Sequence, residues 1–301
     1  MLDPLKPQNL DLCLCCLWWK ARSASSDPSN NPVLYDEFLS YDMLPSATRL
    51  IILPSLPFSN LLFPRLHHAN VELRTAYINQ AISKQIETIQ KANNNNVRIR
   101  MISFGAGYDV RSIRLRSMNM IDEAYELDRP EVISSKQKIM ERLLIRRRQR
   151  KKNRPHKFID VAAHHLPTLI GIDLNDTNNN RLPMVLRDIL LGTTTTTTTQ
   201  SNNSTPQCYT IFLFEGVMIY LNKGVPTELL RICSQAVSSL PSSASASLVF
   251  ADRLENIDSA DTSTNCRMDA ARVEFNKVGW KLDEWCPKPG MARHMGIAQH
   301  I

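Results

Sequence analysis

Apolar residues recur along this chain in two patterns, one typical of helices and the other of buried strands. Between residues 72 and 91 they recur at helical spacing, which predicts a long amphipathic helix. Residues 209–214 are almost continuously apolar, as a buried strand of a parallel sheet is. The pattern also predicts strands at 97–104, 123–127, 169–172 and 246–251, helices from about 110, at 130–148 and at 227–240, and weaker strands beside 279–280 and 293–298. Strands that alternate with helices indicate an α/β fold with a doubly wound, mostly parallel sheet.

The part of the chain before the first predicted strand has a different pattern. Residues 11–92 are helical in character and contain no convincing strand. Asparagine, threonine and alternating serine–alanine runs bury little apolar surface, so we expect loops at 93–96, 178–180, 193–199 and 242–247. We therefore predict a helical region over 1–96 and an α/β domain over 97–301, which together form one structural unit.

The composition excludes several classes of protein. With 43% hydrophobic and 22% charged residues over a length of 301, the chain is neither disordered nor fibrous. Its seven cysteines are odd in number and scattered, which favours a reducing compartment over a disulfide framework. No apolar run reaches the roughly 18 residues of a membrane helix, and no basic segment precedes the short apolar stretch 10–19. We expect a cytoplasmic protein without a membrane anchor, and targeting to an organelle stays open.

The positive charge of the chain is concentrated in one basic segment, residues 136–157. It contains eleven lysine and arginine residues and one glutamate, so it carries +10, and the rest of the chain carries −3 of the net charge of +7. Such a segment contacts phosphates or an acidic partner, or it is a solvated helix end that continues into a loop. We favour the second interpretation, and the absence of interleaved aromatic residues argues against base stacking.

Distinctive residues stand where four predicted strands end: Gly105 and Gly107, Asp128, Asp173 and Glu215. Ligands of doubly wound sheets bind beyond the carboxyl ends of the strands, so we expect these residues to converge on one crevice. A glycine pair lets a ligand approach the backbone closely. Each feature also has a structural alternative, namely a tight turn for the glycines and a helix or turn cap for the aspartates.

The glycine spacing distinguishes between two nucleoside cofactors. A dinucleotide-binding fingerprint requires a third glycine three residues after Gly107, where this chain has Val110. Asp128 follows Gly107 by twenty-one residues, at the end of the second strand, where an acid accepts hydrogen bonds from both ribose hydroxyls. This combination fits S-adenosylmethionine better than NAD.

Four stretches carry a resemblance to a known family: 74–79, 102–115, 125–133 with Lys136, and 214–221. In these stretches the chain resembles the leucine carboxyl methyltransferases, which are S-adenosylmethionine-dependent. The order and spacing of the stretches agree with that family from about residue 15 to 285. The resemblance implies a Rossmann-like methyltransferase sheet of about seven strands over 97–301. It also implies that the helical region 1–96 forms a lid.

The resemblance assigns cofactor-binding roles to nine positions: Lys20, Arg74, Gly105, Ala106, Gly107, Asp128, Asp173, Leu174 and Glu215. In the family an arginine on the helix before the first strand binds the cofactor's carboxylate, and Arg74 matches it; the alternative is a surface arginine. The glycine turn holds the methionine part, and Asp128 matches the ribose acid. Asp109 and Arg111, which follow the turn, are interpreted as helix-start and packing groups.

The remaining matches concern the adenine, the ammonium and the lid. Asp173 and Leu174 occupy the adenine positions, one as an acceptor for the exocyclic amine and the other as a cover for the ring. Glu215 lies near the cofactor's ammonium, and an acid that closes a buried apolar strand is otherwise costly. Lys20 matches, loosely, a basic residue that closes over the site. The cysteine and histidine clusters lack metal-ligand spacing, so no metal is predicted.

The reaction implied is methyl transfer to a carboxylate oxygen of a small molecule or of a protein C-terminus. An ionised carboxylate needs no general base, and Lys20, Arg22 or Arg111 could guide it. After Asp252 the chain is shorter than in members that methylate a phosphatase, which predicts a reduced or different substrate lid. Two alternatives stay open: an inactive binding protein that keeps the fold, and a tRNA-modifying relative that uses residues 136–157. Nucleic acid and membrane are not expected as partners, and the oligomeric state is open.

Overall fold

The computed structural model describes most of the chain in ten stretches: residues 14–21, 39–45, 65–92, 97–153, 161–177, 179–192, 207–240, 245–252, 268–287 and 294–301. The predicted loop runs at 93–96 and 193–199, and the first half of that at 242–247, lie outside the described residues. The loop prediction is wrong for its second half, because residues 245–247 belong to a strand. The chain forms two compact units. The first unit comprises residues up to 80 together with 106–171, and the second comprises 81–105 together with 172–301.

In the part of the chain that the structure describes, seven strands form one sheet, as the sequence pattern and the resemblance predicted. The strands are β1 (Val97–Phe104), β2 (Glu123–Asp128), β3 (Thr168–Gly171), β4 (Gln207–Glu215), β5 (Ser245–Asp252), β6 (Trp280–Pro287) and β7 (His294–His300). Their order in the sheet is β3-β2-β1-β4-β5-β7-β6. The pairs β2–β3, β1–β4 and β4–β5 are parallel, and β7 runs antiparallel to both β5 and β6. The prediction of a mostly parallel, doubly wound sheet is confirmed.

Eight described α-helices accompany the sheet: α1 (residues 14–21), α2 (Leu39–Met43), α3 (Arg65–Ala92), α4 (Arg111–Ser117), α5 (Pro130–Asn153), α6 (Arg181–Leu191), α7 (Val225–Ser238) and α8 (Met268–Lys277). Most of them match predicted helices, but α6 and α8 were not predicted. The buried residues of α6 are Leu182, Leu186, Ile189 and Leu190, which recur at helical spacing. The polar runs on both sides of this short segment conceal that periodicity.

The core of the first unit is apolar and lies among α1, α2, α4 and α5, with a residue of β3 packed against it. Its fully buried members include Leu17, Leu39, Leu44, Ile113 and Leu143, which come from α1, α2, α4 and α5 and from the residue that follows α2. Helix α2 has five residues, too few to satisfy its own carbonyls. Arg146 supplies the missing donors, because its Nη1 donates to the carbonyls of Asp42 at 2.6 Å and Leu44 at 3.1 Å. One arginine of the basic segment therefore has a structural role.

The core of the second unit is aromatic. Strands β1, β4 and β5 are buried along most of their length, which explains the nearly continuous apolar run 209–214 of β4. Phe104 stacks on Phe214 with ring centroids 4.5 Å apart, and Phe212 meets Trp280 edge-on at 5.8 Å. The buried Trp280 indole donates its N–H to the Leu230 carbonyl at 2.9 Å. The sheet order reverses at β1, next to β4, which is where doubly wound folds bind ligands.

None of the helices in the described part of the chain combines the length and the apolar character that a membrane crossing requires. The described residues before β1 contain helices and no strand. The division into a helical lid over 1–96 and a methyltransferase domain over 97–301 stays a prediction.

Candidate cofactor site

The glycine turn after β1 has a backbone that favours glycine. Gly105 has φ of +59° and Gly107 has φ of +49°, in the left-handed region that side chains with a Cβ seldom adopt. At Gly105 space is also missing, because an added Cβ would lie 2.6 Å from the Cβ of Val217, within the second unit. The structural alternative for these glycines, a tight turn, is therefore realised, and their role in cofactor binding stays a prediction.

Replacing Gly105 with alanine should destabilise the protein by about 2 kcal/mol, through the strained φ and the collision with Val217. Gly192 is a matched control, since it has φ of +74° but nothing lies within 4 Å of an added Cβ. We expect Gly192→Ala to cost about 1 kcal/mol, for the backbone alone. Urea unfolding of the two variants measures the difference. Equal losses of stability would show that Val217 yields and that the turn is not tightly packed.

Asp128 ends β2 and is bound to the glycine turn within the first unit. Its Oδ2 accepts the Gly107 N–H at 2.7 Å, and its Oδ1 accepts the Arg129 N–H at 2.7 Å. Burial raises the pKa of the Asp128 carboxyl, and the two backbone hydrogen bonds oppose that rise. Both oxygens are thereby fixed in direction, and each keeps a lone pair for a further hydrogen-bond donor.

The residues that follow the turn form hydrogen bonds at the start of α4 and with side chains of α1 and α3. Asp109 accepts hydrogen bonds from the backbone N–H of Val110 at 2.8 Å and of Arg111 at 3.3 Å, so it caps the start of α4. Arg111 is 3% exposed, and its guanidinium binds Asp109 and Asn79, the latter at 2.8 Å. Lys20 of α1 also reaches Asp109, at 3.2 Å. Asp109 and Arg111 are helix-start and packing groups, as the sequence indicated.

Arg74 lies on α3 and is 7% exposed, so it is not the solvated surface arginine of the alternative interpretation. In the second unit, Asp173 is exposed, and its Oδ1 caps a turn by accepting the Asn175 N–H at 3.0 Å. Leu174 beside it is buried. Asn175 in turn accepts the Asn222 N–H at 2.8 Å, which ties the segment after β3 to the one after β4. The capping alternative for Asp173 is therefore realised, and it does not conflict with a second role.

Asp252 is a buried aspartate that supports the residues after Glu215. The sequence pattern assigned no role to it. Asp252 ends β5 and is 1% exposed. Its Oδ2 accepts the N–H groups of Val217 at 2.6 Å and Met218 at 2.8 Å, and its Oδ1 accepts that of Ile219 at 3.3 Å. The sequence signal was an acid at the end of a buried strand, the same signal that singled out Glu215.

The sequence profile of the leucine carboxyl methyltransferase family matches residues 16–233. The chain belongs to the leucine carboxyl methyltransferase family. The match confirms the resemblance, although it ends at Cys233 and does not extend to the expected residue 285. At the level of the family, a methyltransferase with S-adenosylmethionine as its cofactor is likewise confirmed, and such an enzyme requires a methyl acceptor.

Other comparisons add less to this family assignment. A search among curated proteins finds no match to the chain. Magnesium protoporphyrin IX methyltransferase (ChlM) from Synechocystis PCC 6803, solved with bound SAH, is 11% identical, with 78% of this chain and 87% of that chain covered and a TM-score of 0.38. The rRNA methyltransferase aviRa from Streptomyces viridochromogenes is 14% identical, with 74% and 84% covered and a TM-score of 0.39. The pyocyanin biosynthetic protein PhzM is 14% identical, with 91% and 76% covered and a TM-score of 0.39. Similarity this low concerns the architecture at most.

Proposed function

We propose that this family member is a carboxyl O-methyltransferase, which converts a carboxylate of its acceptor into a methyl ester and leaves S-adenosylhomocysteine. The family match supports the type of reaction, since the family is named for carboxyl methylation. The observation that carries the cofactor part is the Asp128 carboxylate, which the Gly107 amide fixes at the end of β2. A carboxylate held in this way suits a pair of ribose hydroxyls.

The residues present fit S-adenosylmethionine. Asp128 would accept the ribose hydroxyls, and the turn at Gly105 and Gly107, whose positive φ angles favour glycine, would hold the methionine part. Arg74 would pair with the cofactor's carboxylate, for which a planar guanidinium is suited. Glu215, half-buried at the end of β4, would face the ammonium.

The other proposed contacts concern the adenine and the lid. Buried Leu174 would cover the ring, and exposed Asp173 would accept its exocyclic amine. Ala106 belongs to the turn itself. Lys20 is proposed to close over the site through its contact with Asp109.

The proposed methyl transfer requires no general base from the protein. S-adenosylmethionine supplies a methyl group that is activated by a sulfonium. The acceptor carboxylate, with a pKa of about 4, is already ionised at neutral pH, so no side chain has to remove a proton. The chain's contribution is to hold the acceptor oxygen in line with the methyl carbon and to exclude water. The acceptor is proposed to be a small-molecule carboxylate or a protein C-terminus, in the cytoplasm.

On acidification, cofactor affinity should begin to fall at a higher pH than it would with an ordinary aspartate, whose pKa is about 3.9. Burial raises the pKa of Asp128, and the protonated carboxyl loses an acceptor for the ribose. A raised pKa in the folded state means that this group favours folding as the pH falls, so its titration does not itself unfold the protein. Calorimetric titrations with S-adenosylhomocysteine from pH 7 downward measure the profile.

Asp128→Asn is the control for the acid limb of this profile. It should bind more weakly at neutral pH and should lack the acid limb that the wild-type protein shows. Parallel profiles for the two proteins would assign the titration to another group.

The function itself is tested in two steps. Titration with S-adenosylmethionine and with S-adenosylhomocysteine should show micromolar binding of both. Radiolabelled cofactor is then incubated with a peptide that ends in leucine, with its C-terminally amidated counterpart as the control, and with a panel of small carboxylic acids. Label that is transferred only to free carboxylates and is released by mild base supports the methyl ester. Base-stable label, on a tRNA for example, would overturn carboxyl methylation, and absence of binding would favour the inactive binding protein.

A further inference from the structure

Lys136 and Glu126 form an ion pair inside the first unit. Both side chains are 0% exposed, and the Lys136 Nζ lies 2.5 Å from the Glu126 Oε2. Burial of two charges costs about as much as their attraction returns, so a buried ion pair is weak evidence for a stabilising role. An apolar pair of similar volume would serve the core equally well. The pair is therefore better explained by the groups that it holds in place than by a contribution to stability.

The ammonium of Lys136 has a second partner, which belongs to the glycine turn. Its Nζ donates to the backbone carbonyl of Asp109 at 2.7 Å. The Asp109 amide closes the turn by donating to the Ala106 carbonyl at 3.0 Å. Lys136 on α5 thereby links the end of the turn to Glu126 on β2. Its contact with the turn involves the backbone and no side chain of the turn.

The beginning of the turn is fastened to the same strand. Gly107 donates its N–H to Asp128 at 2.7 Å. Glu126 and Asp128 are two residues apart on β2, so their side chains point to the same face of the sheet. The turn is therefore attached to one face of β2 at two points, by Asp128 at its Gly107 amide and by Lys136 at its Asp109 carbonyl.

We propose that Lys136 is a positioning residue for the cofactor site, which holds the Asp109 carbonyl so that the Gly107 amide and the Asp128 carboxylate keep the geometry that binds the ribose. The inference rests on the proposed cofactor site and adds to it a buried residue that does not contact the cofactor. Lys136 is placed to act through the turn, and its charge also favours the ionised form of Asp128.

The test separates positioning from stability. Lys136→Met alone leaves Glu126 buried without its cation and should lower the melting temperature. The double variant Lys136→Met/Glu126→Gln removes both charges, and its melting temperature should return close to that of the wild-type protein. It should still bind S-adenosylhomocysteine at least tenfold more weakly. In its NMR spectrum the Gly107 amide proton should shift upfield, because its bond to Asp128 is lengthened.

Arg116→Met is the matched control. Arg116 lies in the same unit and donates to the Leu166 carbonyl at 2.7 Å, so its replacement also removes a bond from a cation to a carbonyl. Its affinity for S-adenosylhomocysteine should stay within threefold of the wild-type value. If Lys136→Met/Glu126→Gln does not unfold cooperatively, Lys136→Gln/Glu126→Gln repeats the test with polar side chains.

The outcomes of these experiments are distinct. A well-folded double variant with wild-type affinity and an unmoved Gly107 resonance would overturn the proposal and leave Lys136 a packing residue. Loss of affinity in Arg116→Met to the same extent would also overturn it, since any lost carbonyl contact would then suffice. If the wild-type protein does not bind S-adenosylhomocysteine, the proposed function fails, and the Gly107 resonance still decides whether Lys136 sets the turn.

Discussion

Asp128→Ala should raise the dissociation constant for S-adenosylmethionine by about a hundredfold or more while the protein stays folded. The expected loss corresponds to two hydrogen bonds from ribose hydroxyls to a charged acceptor, each contributing roughly 1.5–3 kcal/mol. The turn is weakened as well, since the Gly107 amide loses its acceptor. Calorimetric titration gives the dissociation constant, and circular dichroism melting verifies the fold.

Asp128→Asn is the control for this replacement, because it keeps the volume and one acceptor oxygen but removes the charge. We expect an affinity between those of the wild-type and alanine proteins. An unchanged dissociation constant in Asp128→Ala would refute the ribose assignment, whatever the result for the asparagine variant.

Asp252→Ala should lower the free energy of unfolding by about 3 kcal/mol, the second large effect. Its carboxylate accepts three backbone N–H groups, and the Val217 and Met218 amides would be left buried without an acceptor. Because this turn follows Glu215 directly, we also expect weaker cofactor binding. Urea unfolding measures the stability, and calorimetry measures the affinity.

Asp252→Asn supplies the comparison for the buried carboxylate. One amide oxygen can still accept the N–H of Val217 or Met218, so the loss should be about half as large. A loss below about 1 kcal/mol in Asp252→Ala would show that water or a neighbouring group replaces the carboxylate, and the turn would then not depend on it.

The strands and most helices could be predicted from sequence because their apolar spacing is local information. Strand β1 was predicted with its observed bounds, and β4 was recognised because a central strand is apolar on both faces. Helix α6 was missed, since its four buried residues lie in a short segment between polar runs. Its burial depends on packing in the second unit, which the local pattern does not report.

Candidate site residues were found where they stand at strand ends or match the family, as Asp128 and Glu215 do. Asp252 stands at a strand end too, but its role depends on the chain after β4 folding back so that three amides meet its carboxylate. Lys136 accompanies the matching stretch 125–133 and is also the first residue of the basic segment. Its burial against Glu126 and Asp109 could not be inferred from a run of positive charge.

The sequence by itself determined the α/β class, the order of the strands along the chain, the glycine turn and the membership of a methyltransferase family. These properties follow from periodicity, from the conformational freedom of glycine and from residues at matching spacing. Only the tertiary structure decided which charged groups are internal. Arg146 donates to carbonyls at the end of α2, and Lys136 donates to a carbonyl of the glycine turn. Asp252 accepts three backbone N–H groups. Each pairing joins groups far apart in the chain, and burial makes it necessary, because a polar group removed from water must find its partner within the fold.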